Sequence, residues 1–183
     1  MDTVLERPWT TEAFLAWEDR QEAKHEFDGR PPLRVACNTI AHQDIVFRLT
    51  VALRRLSAGK PVQAIHRMRL RIGSRVRHPD VLVAAEPIDQ ATRTLTDALV
   101  IFEVLSDDTA TTDRIDKLVD YAAVPSLRGY VLLEQARIGA TLFRRAPDRT
   151  WIASAHPEGV LDLPGLDVAL PLAPLYQGLT LPG

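Results

Sequence analysis

Asp80 follows Pro79 and opens the apolar run PDVLVAAE, Glu103 lies inside a second apolar run, ALVIFEVLS, and Lys117 follows in DRIDKLVDY. Two carboxylates carried on strands, with an ammonium shortly downstream, suit a Mg²⁺-dependent phosphodiesterase. Strand ends hold carboxylates rigidly enough to share a hard divalent cation, and a nearby ammonium can stabilise a hydroxide nucleophile or the charge growing on phosphorus. A carboxylate inside VIFEVL would lose its water unless paired or metal-bound, so Glu103 points to chemistry. Asp80 and Lys117 each have a plainer role open to them: an acid at the exposed end of a strand, and an exposed helix lysine beside Asp113 and Asp120. Two carboxylates could also serve a glycosidase as acid and base.

Charge is segregated around these acids. The chain has a net charge of −2 and a pI near 6.2, which does not advertise nucleic-acid binding. Between Asp44 and Asp80, however, there is no acidic residue, while Arg48, Arg54, Arg55, Lys60, Arg67, Arg69, Arg71, Arg75 and Arg77 are all basic. Arg67, Arg69 and Arg71 alternate with Met68, Leu70 and Ile72, which predicts a strand over 64–72 with one covered and one exposed face. That arginine face is the candidate contact for a phosphate backbone. A solvated face balanced by acids elsewhere is the alternative. The acid-free segment together with Lys117 favours a phosphodiester over a sugar.

The elements that must position these groups are legible in outline. Thr10 or Thr11 caps a first helix whose apolar side is Phe14, Leu15 and Trp17, and Glu26 lies at or just past its end. A short strand and a turn at Asp28-Gly29 follow. Ile45, Leu49, Ala52, Leu53 and Leu56 predict a second helix over 43–56, ended by Gly59, with His42 placed either to cap it or to reach the edge of the active site. DVLVAAE and ALVIFEVLS read as strands, the second apolar on both faces and therefore central. Ile115, Leu118, Val119 and Ala122 predict the buried stripe of a third helix, with Lys117 and Tyr121 sharing its other side. GYVLLEQ, ATLFRRA and TWIASAH are three more strands before an apolar tail, 161–176. At 183 residues and 46% hydrophobic, with no linker composition, the chain reads as one domain over 1–183. The acidic start lacks the pattern of a leader, no run is long enough to span a membrane, and the lone Cys37 fits a reducing compartment, so a cytoplasmic protein is expected.

The segments HEFDG, AHQDIVFRL, PDVLVA, LVIFEVLS, TDRIDKLVDYAAVPSLRGYVLLEQ and LPGLDVALPLAPLY, in that order, resemble the Uma family of restriction endonucleases. That family is a branch of the PD-(D/E)XK nuclease superfamily. The resemblance spans about residues 10–176. It implies an α/β fold with a restriction-endonuclease-like core, a mixed sheet flanked by helices. It also implies catalytic roles for Asp80, Glu103, Lys117 and Glu26, and a Mg²⁺ or Mn²⁺ ion held by Asp80, Glu103 and the carbonyl of Val104. Leu105 stands where the wider superfamily places its lysine, and Lys117 on the next helix is the matching residue. The implied substrate is nucleic acid, DNA in the first place, cut to a 5′-phosphate and a 3′-hydroxyl. The chain departs from the pattern at Asp107 and Asp108, at His25 where a tyrosine is common, and at Gly129 where an acid is common. A catalytically inactive nucleic-acid-binding or oligomerisation module of the same fold is the alternative. Double-strand cleavage by a one-site domain calls for two copies, and the apolar tail is the candidate surface for pairing them.

Overall fold

In a computed structural model, residues 9–35, 38–105 and 111–181 are described, with side chains of the third helix described from residue 116. Cys37, Asp107 and Asp108 lie outside the described residues, as do the side chains of Asp113 and Ile115. In chain order the elements are α1 (Thr11–Glu18), β1 (His25–Glu26), β2 (Leu33–Arg34), α2 (Ile40–Leu56), β3 (Val62–His66), β4 (Arg69–Ile72), β5 (Arg75–Arg77), β6 (Val81–Ala85), β7 (Thr94–Leu95) and β8 (Val100–Leu105). They continue with α3 (Thr111–Ala122), β9 (Gly129–Glu134), β10 (Ala140–Arg145), β11 (Trp151–His156), β12 (Val160–Leu163), β13 (Val168–Pro171) and a 3₁₀ turn over Ala173–Tyr176.

The main sheet has the order β11-β10-β9-β8-β6-β3 and is mixed. All neighbouring pairs are antiparallel except β8 and β9, which run parallel because α3 crosses between them. Alternation sends Val100, Phe102 and Val104 of β8 into a core shared with α2 and the tail, and Ile101 and Leu105 into one shared with α3. Glu103 has the parity of the α3 side. β8 is buried at every position, as expected of a central strand.

α2 starts three residues earlier than its apolar spacing predicts, because Thr39 caps it: the Thr39 hydroxyl accepts the His42 N–H at 3.2 Å. The expected strand over 64–72 is two strands. Arg67 interrupts it in left-handed backbone, φ 54°, and only β4 continues. The expected apolar stripe of α3 is also rotated. Val119 is 62% exposed, whereas Tyr121 and Asp120 are buried. The polar partners that await those two side chains decide the rotation of the helix, and period alone cannot see them.

The tail folds back as the β12–β13 hairpin and covers α2. Leu161, Leu163, Leu166, Val168, Leu170, Leu172 and Leu175 all belong to the core on that side of the sheet. The apolar side chains that suggested a pairing surface are therefore packed within the chain itself. Pro164 of the tail also explains Gly129: a Cβ there would stand 2.7 Å from Pro164 Cγ, so no side chain fits. Among the described residues no helix is long and apolar enough to cross a membrane.

Candidate active site

β6 and β8 pair antiparallel with Val81 opposite Phe102, so continuing the register by one residue sets Asp80 against Glu103. At that point the ladder ends. The Val104 N–H finds the Asp80 side chain in place of a strand carbonyl, donating to Oδ2 at 2.8 Å. A residue in an extended strand turns its N–H and C=O to the same side, so the Val104 carbonyl faces the Asp80 edge too. The other Asp80 oxygen, Oδ1, lies 3.0 Å from His42 Nε2, delivered by the first turn of α2. His42 is 3% exposed, and the Asn38 amide is 2.9 Å from the same ring nitrogen.

Glu103 is 7% exposed. Tyr121 donates its hydroxyl to Oε1 at 2.7 Å, and the Lys117 ammonium lies 3.5 Å from the same oxygen. Burial pushes the Glu103 carboxyl up to about 7; Lys117 and the Tyr121 hydrogen bond oppose this, and the like charges of Asp80 and Glu26 add to it. The Tyr121 hydroxyl is itself driven well above the ordinary phenol range by burial and by the charge on Glu103.

Glu26 comes from β1 and is buried. Its Oε2 accepts from Arg77 Nη1 at 2.7 Å and its Oε1 from the His78 N–H at 3.2 Å. Burial works against its charged form, but Lys117 and Arg77 outweigh that and hold the carboxyl below its usual range. Lys117 is thus the charge that Glu26 and Glu103 both feel. Arg77 continues to Asp120, its Nη2 2.6 Å from Oδ2, so one buried guanidinium ties β1 to α3. Lys117, Asp120 and Tyr121 are spaced to share one helical face, and that face is the one turned to the acids.

The structure therefore brings together Asp80, Glu103, Lys117, Glu26 and the Val104 backbone. It does not present the arginines as expected. Arg69 is 8% exposed and its Nη1 is 2.9 Å from both Glu18 Oε2 and Asp19 Oδ1. Arg71 is 2.8 Å from Glu12 Oε1. Only Arg67, at the turn, stands exposed. The alternation of Arg with apolar residues is real in β4, but α1 packs over the arginines and supplies their acids. Asp120 and Arg77 were the site residues that sequence spacing did not assign, the i, i+3 relation of Lys117 and Asp120 being the available signal; of the two places open to His42, the cap is taken by Thr39 and the ring meets Asp80.

Among the described residues no group of three or more His, Cys, Asp or Glu side chains is arranged to hold a metal ion. The site offers two carboxylates and a carbonyl, all hard oxygen donors. Mg²⁺ fits such a set, because it keeps several waters and takes one or two carboxylates plus substrate oxygens. Burial chiefly lifts Glu103, with the charges of Asp80 and Glu26 adding to it, and a divalent cation would favour its ionised form.

The same architecture occurs in the crystal structure of a putative nuclease belonging to DUF820 from Anabaena variabilis, with a TM-score of 0.76, 15% identity, and coverage of 92% of this chain and 98% of that one. The class is thus an α/β protein of nuclease-like fold. A family model described as Uma2, putative restriction endonuclease, matches residues 11–174, and the chain belongs to that family. It is also 28% identical over 173 residues to the uncharacterized protein slr1290 of Synechocystis sp., covering 92% of this chain and 91% of the relative. A second Synechocystis protein, the uncharacterized sll1609, is 27% identical over 149 residues, covering 78% and 84%.

Proposed function

We propose that the protein is a cytoplasmic, metal-dependent endonuclease that hydrolyses DNA phosphodiester bonds, using Mg²⁺ or Mn²⁺. The observation that carries this reading is Glu103: a buried carboxylate opposite Asp80, with an ammonium 3.5 Å away on a helix that exists to deliver it. A structural ion pair would need no second acid, whereas a phosphodiesterase needs this set.

Asp80, Glu103 and the Val104 carbonyl would hold the ion. When bound, the cation supplies Lewis acidity at the phosphate and lowers the pKa of its water. Lys117 orients the attacking water and offsets the charge growing on phosphorus. Tyr121 fixes the Glu103 carboxylate, and Glu26, itself held by Arg77, faces Lys117 with opposite charge. Family analogy gives a 5′-phosphate and a 3′-hydroxyl as products.

A plasmid cleavage assay with Mg²⁺ or Mn²⁺ tests the reading. Wild type should nick or linearise the plasmid, and Asp80→Ala should lose at least about 10²-fold in rate. Equal activity in the two proteins rejects the site. Binding without cutting in the wild type returns the chain to the inactive-module alternative. Linear product in a single encounter would indicate two copies acting together.

A further inference from the structure

A cleft of about 550 Å³ opens directly beside Asp80, between the β1–β2 hairpin, the start of α2 and the turn after β3. Asp80 and His42 line it together with Lys24, Arg34 and Arg67. The catalytic reading uses none of the three cations. Arg34 and Arg67 are exposed, and neither forms an ion pair among the described residues, unlike Arg69 and Arg71. Glu22 at the rim is the other carboxylate on this surface.

The cations are held there by backbone geometry. Lys24 donates its ammonium to the Arg67 carbonyl, which fastens the left-handed turn at φ 54° that interrupts β3 and β4. Such backbone is strained for a non-glycine residue, so something must hold it. Burial and the neighbouring charges of Arg67 and Arg69 depress the Lys24 ammonium, with Glu18 opposing, which marks a local excess of positive charge. The first turn of α2, which brings His42 into the lining, carries no acid. Two further lining groups lack a partner: the Nδ1 atoms of His42 and His78 are buried without a hydrogen bond among the described residues.

We propose that this cleft, and not the β4 arginines, holds the DNA backbone next to the scissile phosphate, with Arg34 and Arg67 contacting successive phosphates on one side of Asp80. The assignment rests on the nuclease reading above and adds to it the path of the strand. Lys24 is the positioning residue that presents Arg67.

The test is equilibrium binding of a short fluorescein-labelled DNA duplex in EDTA, measured across a salt series, so that affinity is read without cleavage. The Arg34→Gln/Arg67→Gln double variant should bind at least about tenfold more weakly at low salt. Its log–log salt slope should flatten by up to about 1.8, or about 0.9 for each phosphate no longer neutralised. Arg55→Gln, which removes one positive charge at the far end of α2, should leave both unchanged, and thermal unfolding should report intact folds for all three proteins. Equal affinity and slope in the double variant and wild type overturns the proposal, as does equal weakening by Arg55→Gln or no binding by wild type. The two readings fail separately. Plasmid cleavage with an unchanged slope in the double variant rejects the cleft alone; weakened binding in a protein that never cuts supports the cleft and rejects the nuclease.

Discussion

Glu103 is stabilised as a carboxylic acid by burial and needed as a carboxylate for chemistry, and this conflict defines the site at the residue scale. Its carboxyl is raised to about 7, so in the metal-free protein its contribution to stability is present below the unfolded value of 4.5 and lost as pH rises through about 7. Glu103→Gln removes that loss. In EDTA at pH 8 the variant should be more stable than wild type by about 1–3 kcal/mol in denaturant titrations, while cleavage disappears. Mg²⁺ or Mn²⁺ should raise the wild-type melting temperature and leave that of Glu103→Gln unmoved. An equal rise in both would place the ion elsewhere. Lys117→Ala should abolish cleavage and keep the metal-dependent rise, because the ammonium acts on the nucleophile and is no ligand. Tyr121→Phe removes a hydrogen bond that favours ionised Glu103, so the acid limb of the cleavage profile should move to higher pH.

At the scale of elements, buried ion pairs dock α1, β1 and α3 around the acids. Glu18 closes α1 onto β4, accepting from Arg69 at 2.9 Å and the His25 N–H at 3.0 Å, with His78 Nε2 at 2.7 Å. Burial opposes its charge, but the His78 and Arg69 hydrogen bonds prevail and bring its carboxyl down to about 2. A lowered carboxylate contributes stability above its unfolded value of 4.5 and loses it as pH falls through about 2. Wild type should therefore lose on the order of 2 kcal/mol over that window through this residue, and Glu18→Gln, though less stable at pH 6, should show a flatter acid limb. The Arg77 fork makes a harsher test. Arg77→Gln takes the shared guanidinium from Glu26, which keeps the His78 N–H and Lys117, and from Asp120, which keeps Arg75, and should cost on the order of 3 kcal/mol in denaturant titrations. If stability barely moved, α3 would not depend on that link.

At the scale of the molecule, the tail completes the core. Leu170 is fully buried between the hairpin and the residues of α2 and the main sheet. Leu170→Ala should cost about 2–5 kcal/mol, with unfolding independent of protein concentration, because the packing is made within one chain. A concentration-dependent midpoint would return the tail to a pairing role.

The sequence by itself determined the chemistry-bearing acids and the elements that carry them. An acid within VIFEVL on a central strand, an acid following proline at the head of its neighbour, and a lysine on the connecting helix are local signals, written in periods of 2 and 3.6. The motif order extended them to the nuclease-like fold. Tertiary structure decided which charges are available. Arg69 and Arg71 alternate as an exposed face should, yet α1, more than 50 residues earlier, supplies Glu18, Asp19 and Glu12 to neutralise them. Periodicity is indifferent to what packs over a strand from elsewhere in the chain. Likewise Val119 and Tyr121 exchanged places because Glu103 and Arg77 draw Tyr121 and Asp120 inward, and buried polar groups must find partners whatever the apolar count suggests. His42 meeting Asp80 across 38 residues, and Arg34 and Arg67 beside them with no ion pair among the described residues, are products of the same long-range assembly.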